Sequence, residues 1–126
     1  MKKQAIILIV LAALVIAAST VLAQEKVKLS GYVVDVMCFA EHAKDAADVA
    51  KKAAAEHDRE CALMEDCVKS GYGIYADGKW YPFDAKGNEL AKAMIEKTKK
   101  KDNIKVTVEG MKQEGKILVE KITESE

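Results

Sequence analysis

The sequence has little of what marks a specialised chain. One proline and seven glycines in 126 residues exclude a collagen-like or low-complexity polymer. Twenty basic side chains against twenty acidic ones leave no excess positive charge, which argues against a nucleic-acid binder that works by bulk electrostatics. Three cysteines are too few for a disulfide-dense miniprotein, and their number is odd. No two of them are spaced C-x-x-C, so the zinc-knuckle spacing and the usual redox motif are both missing, and covalent haem attachment lacks its C-x-x-C-H sequence. Internal repeats and linkers are absent as well. Half the residues are apolar, too many for a disordered chain, and the length suits one domain.

The chain has one long hydrophobic run, and it reads as an address. Met1-Lys2-Lys3-Gln4 precedes an unbroken apolar stretch from Ala5 to Ala18, followed by Ser19-Thr20-Val21-Leu22-Ala23. A positive start, an apolar centre and small residues at Val21 and Ala23 are the three parts of a secretory signal peptide, with cleavage expected after Ala23. Fourteen apolar residues would span only about 21 Å of a hydrocarbon core about 30 Å thick, which disfavours an uncleaved anchor. No cysteine follows the run to carry a lipid. Removal of residues 1–23 leaves 24–126 as a single domain with 18 basic and 20 acidic groups. Export places the thiols in an oxidising compartment, periplasmic or extracellular.

Residues 26–38 alternate as a strand, with Val27, Leu29 and Gly31 on one face and Tyr32, Val34, Val36 and Cys38 on the other. The change of apolar face at Gly31 predicts a bulge or sharp bend, and the alternation turns Cys38 inward and Asp35 outward. Residues 43–70 are rich in alanine and read as helix, broken near His57-Asp58, where Asp58 can cap a second helix that ends at Gly71. Asp77-Gly78 between Gly73–Ala76 and Lys79–Phe83 is a hairpin signal. Asn88 can cap a helix to about Thr98 with Leu90, Ala91, Met94 and Ile95 inside. Its lysine-rich end, Lys97 and Lys99 to Lys101, suits the negative end of a helix dipole. Two final strands, 104–110 and 117–122, flank a turn at Glu114-Gly115. The order predicts an α+β protein: a small five-stranded OB-like β-barrel with a helical insertion after strand 1 (about 43–70) and a helix before the last two strands.

Chemistry concentrates in Cys38, His42, His57, Cys61, Met64 and Cys67. On a continuous helix His57, Cys61, Met64 and Val68 share one flank, with Cys67 beside Met64. Cys61 and Cys67 would then lie about 9 Å apart along the axis, so Cys38 is the partner if a bridge forms. A Cys38–Cys61 or Cys38–Cys67 disulfide would pin the insertion to the barrel, contributing about 3–4 kcal/mol by chain entropy. The second reading is a metal site of Cys38, His57, Cys61 and Cys67, a donor set that suits zinc, or copper(I) with Met64 or Met37 as an accessory ligand. The third is a redox thiol at Cys61, one turn after His57 and near a helix start. His42 reads as a loop residue, and Asp35 and Glu41 make no catalytic pair. Tyr75, Trp80 and Tyr81, with Tyr72 and Phe83, gather on the hairpin, where they either pack or stack a ligand.

In these motifs the chain resembles a group of small exported bacterial proteins of uncharacterised function. The likeness lies in Gly31, Asp35 and Cys38 (G-x-x-x-D-x-x-C); in His57, Cys61, Cys67 and Gly71; in Asp77-Gly78; and in Val106, Val108 and Gly110. The resemblance implies an OB-like domain with a Cys/His cluster and no established activity. The chain departs from the group at its cysteine pair, C-x5-C where C-x3-C is usual. The expected function is an exported binding or structural module, disulfide-stabilised and suited to metal, with a thiol redox or metal-delivery protein as the alternative. A ligand-binding barrel that uses the aromatic hairpin is the third option. Its partners would be extracytoplasmic proteins, with no nucleic acid and no membrane anchor after cleavage.

Overall fold

The computed structural model describes residues 24–126, so the expected signal peptide lies outside the described residues. Strand β1 (Glu25–Asp35) leads into a chain of short helical segments: α1 (Val36–Phe39), a 3-10 turn (His42–Lys44), α2 (Ala47–Ala55), α3 (Arg59–Ala62) and α4 (Glu65–Ser70). Strands β2 (Tyr72–Ala76) and β3 (Lys79–Pro82) follow, then helix α5 (Ala85–Lys97) and strands β4 (Lys105–Gln113) and β5 (Lys116–Glu124). The five strands form one sheet in the order β3-β2-β1-β4-β5, with every neighbouring pair antiparallel.

The expected α+β class, the insertion after the first strand and the helix before the last two are all present. Closure of the sheet is not: β3 and β5 are not paired, and Phe83, the residue just after β3, makes a single parallel bridge to Ile117 of β5. Both hairpins turn as their sequences predict. Asp77 and Gly78 have φ of 51° and 76°, and Glu114 and Gly115 have 52° and 77°, the positive pair that suits a tight two-residue hairpin turn.

β1 does two jobs along its length. Glu25–Tyr32 pair with β4, and Tyr32–Asp35 pair with β2. Its first half alternates between half-buried and exposed residues, but from Tyr32 to Asp35 every residue is buried. The reason is a second layer. Val33 joins the core beneath α5 with Ile74, Ile95, Val106 and Ile117. Tyr32 and Val34 face the insertion and pack with Phe39, Ala50, Ala54 and Tyr75.

Of the bulge or sharp bend expected at Gly31, the bulge is not there, since the β1–β4 register runs through it unbroken. The register shift falls at Glu109/Gly110 instead. Gly31 is required for a different reason: a Cβ at that position would collide with the Tyr75 carbonyl oxygen. The cap of α5 also differs from expectation. Asp84, not Asn88, starts the helix, accepting from the Gly87 amide at 3.0 Å and from the Val119 amide of β5 at 3.0 Å. Asn88 lies one turn inside the helix and accepts from the Tyr72 amide at 2.8 Å.

Candidate functional site

β1 does not continue to Cys38 as the alternation predicts. It stops at Asp35, whose carboxylate Oδ1 accepts from the Cys38 amide at 2.9 Å and so caps α1. Asp35 is completely buried, where the sequence reading turned it outward. The alternation fails because both faces of β1 are covered at this end: the insertion packs on Tyr32 and Val34, and the face Asp35 shares with Val33 lies in the core beneath α5. The other carboxylate oxygen, Oδ2, lies 2.5 Å from His57 Nε2. Neither of these two buried atoms has a well-aligned hydrogen bond. Burial pushes the Asp35 carboxyl up, but His57 and the Cys38 amide outweigh it and hold it below the ordinary value.

His57 sits between α2 and α3, not on a helix. Asp58 caps α3 as predicted, accepting from the Glu60 amide at 2.7 Å and the Cys61 amide at 3.2 Å. The single helix expected to run from there to Ser70 is broken. Leu63 ends α3, and Met64 takes an extended conformation (φ −62°, ψ 146°) before α4 begins at Glu65. This break removes the axial separation of Cys61 and Cys67 and brings all three sulfurs within 4.8 Å of one another. Cys38 Sγ lies 3.7 Å from Cys61 Sγ and 3.8 Å from Cys67 Sγ.

Those separations are informative. A disulfide requires about 2.05 Å, and the three cysteines are free thiols here. Two thiolates on a tetrahedral ion with metal–sulfur bonds of about 2.3 Å lie about 3.8 Å apart. The donors form two triads that share one residue: Cys38, Cys61 and Cys67 in one, and Asp35, Cys38 and His57 in the other. Burial first, then Cys61 and the Asp35 charge, push the Cys38 thiol far up. Burial and the Asp35 charge raise Cys67. Such thiols are poor nucleophiles, and a bound cation would reverse that cost by taking them as thiolates.

The frame around the cluster is built from main-chain ties. The Val36 amide donates to the Gly71 carbonyl at 2.9 Å. The Ser70 hydroxyl accepts from the Met37 amide at 3.1 Å and donates to the Cys67 carbonyl at 2.7 Å. The buried Tyr72 hydroxyl donates to the Ala62 carbonyl at 2.7 Å. On the far side Arg59 donates to the Ile95 and Glu96 carbonyls at the end of α5. These ties fix the turns that carry Cys38, Cys61 and Cys67.

The remaining candidates are not among the clustered donors. His42 Nδ1 contacts Asp45 at 2.9 Å on the surface. Met64 is exposed. Tyr75 is buried, with its hydroxyl donating to the Ala47 carbonyl at 3.2 Å, and Phe39 packs between it and Trp80 at ring-centroid distances of 5.4 and 4.8 Å. Tyr81 is half-buried beneath Lys112. A cavity of 420 Å³ lies between Tyr32, Lys51, Tyr75 and Lys105, away from the three cysteines and His57. Asp35 was named in the G-x-x-x-D-x-x-C motif but turned outward, so its place in the site was missed. Its signal was the D-x-x-C spacing, which is that of a helix cap accepting from the amide three positions on. No family model, curated protein or solved structure matches the chain.

Proposed function

We propose that the protein is an exported metal-binding module, periplasmic or secreted, in which an OB-like barrel carries a thiophilic cation on its helical insertion. Cys38, Cys61 and Cys67 supply the sulfurs, and His57, held by Asp35, stands beside them. The observation that carries this reading is the sulfur spacing of 3.7 and 3.8 Å, the edge length expected of thiolates on one ion. The orphaned Asp35 Oδ2 against His57 Nε2 adds a second argument. A carboxylate that orients an imidazole is the usual outer support of a metal ligand. Zinc and copper(I) are the cations this donor set suits. The barrel reading rests on the strand order, the helix between β3 and β4, and the parallel Phe83–Ile117 bridge, which accord with a partly open five-stranded Greek-key barrel. Export rests on the character of residues 1–23.

A disulfide-stabilised module is the second reading, favoured by Cys38 lying at nearly equal distance from both other sulfurs. A bridge from Cys38 to either of them would leave one thiol over. The two readings separate by alkylation. A metal-loaded protein keeps all three cysteines unreactive until a chelator is added, and then all three react. A bridged protein exposes at most one before reduction, chelator or not.

A further inference from the structure

Among the described residues, the large apolar side chains that stand most exposed are Met37, Val49 and Met64, at 56, 49 and 60 %. Two of the three are thioethers, and both lie on the turns that carry the thiol cluster. Met37 directly precedes Cys38 in α1, and its amide is held by the Ser70 hydroxyl that also binds the Cys67 carbonyl. Met64 occupies the break between Cys61 and Cys67, and its amide donates to the Cys61 carbonyl at 3.0 Å. The backbone of each methionine is therefore tied to the cysteine-bearing turns while its side chain is left in water. An exposed methionine forfeits the burial that would reward an apolar side chain. A thioether is also a soft donor, which has little use for zinc and suits copper(I).

The inner donor set points the same way. No fourth His, Cys, Asp or Glu among the described residues joins the three sulfurs within 4.8 Å, because His57 belongs with Asp35 and Cys38. Closed structural zinc sites take four protein donors, whereas three soft sulfurs satisfy a monovalent d10 ion. We propose that the cluster of Cys38, Cys61 and Cys67 takes copper(I), received from the surface by the thioethers of Met37 and Met64. This rests on the metal-site reading above and adds the identity of the ion and its route.

The test uses the reduced full chain with copper(I) supplied from a coloured copper(I) chelator, and zinc(II) as competitor. The wild type should strip one equivalent of copper(I) from the chelator, show thiolate-to-copper absorption, and keep the ion against excess zinc. The Met37→Leu/Met64→Leu double variant preserves size and apolarity at two exposed positions, so the fold is not at risk. It should reach the same final copper content severalfold more slowly. Cys38→Ser should lose retention, with circular dichroism reporting whether it has folded. Displacement of copper(I) by zinc would overturn the identity of the ion while leaving the metal-site reading standing. Equal loading rates in the wild type and the double variant would overturn the role of the methionines. Retention of neither metal would sink both the inference and the reading beneath it.

Discussion

Asp35 carries more of the site than any other single residue, because its two carboxylate oxygens divide their work. Oδ1 caps α1 through the Cys38 amide, and Oδ2 meets His57. Asp35→Asn retains the shape and the cap acceptor but removes the charge facing His57. It should weaken metal binding by about 10–100-fold, the cost typical of losing a ligand's outer support, while circular dichroism stays native. Unchanged affinity in a competition titration would remove Asp35 from the site. Tyr72, 1 % exposed, makes a prediction about alkali. Burial, with the nearby Asp35 charge behind it, pushes its phenol up to about 12. The neutral form is therefore favoured by folding, so its contribution is complete below the ordinary tyrosine range and is lost as pH rises towards 12. Ultraviolet titration should find a tyrosine that ionises late, and Tyr72→Phe should abolish that late step. The same variant should cost about 1 kcal/mol in urea unfolding, because the buried Ala62 carbonyl loses its donor.

At the scale of elements, α5 is fastened by one side chain. Asp84 caps its first turn and also holds the Val119 amide of β5, so Asp84→Ala should destabilise by about 1–2 kcal/mol. Asn88→Ala leaves that cap intact and should cost less, although it frees the Tyr72 amide. Denaturant midpoints for the two variants decide which residue starts the helix. Elements set by local rules were legible in the sequence. Asp77-Gly78, Glu114-Gly115, the Asp58 cap and the Gly71 helix end all stand where turn and cap chemistry put them. Elements set by tertiary contact were not. Alternation turned Asp35 outward because it takes one face of a strand as wet, while β1 is covered on both faces, by the insertion over Tyr32 and Val34 and by the α5 core over Val33. The break at Leu63-Met64 has neither glycine nor proline to announce it. Without the break Cys61 and Cys67 stand apart on one axis, and with it they share a site. All three cysteines and His57 were legible as candidates, but their geometry was not.

On the scale of the whole molecule, the insertion is a lid of short helices held over one face of the sheet by Phe39, Ala50 and Ala54. It is pinned at its far end by Arg59 on α5 and by the Asn103 amide on the Ala55 carbonyl. Four segments of this length have little helical stability of their own, so a cation joining α1, α3 and α4 would tie the least self-sufficient part of the fold together. Free metal at a hundred times its dissociation constant should add about 2.7 kcal/mol. For a domain of this size that corresponds to a midpoint rise of about 10–20 °C, reversed by chelator. A thermal midpoint unmoved by metal would mean that the insertion does not depend on it. The most direct measurement is native mass spectrometry of the purified protein before and after chelation. One metal ion per chain, with the chelated protein at the mass of three free thiols, is the result this account predicts. A metal-free protein about 2 Da lighter than that would place a disulfide where the account places a cation, and would contradict it.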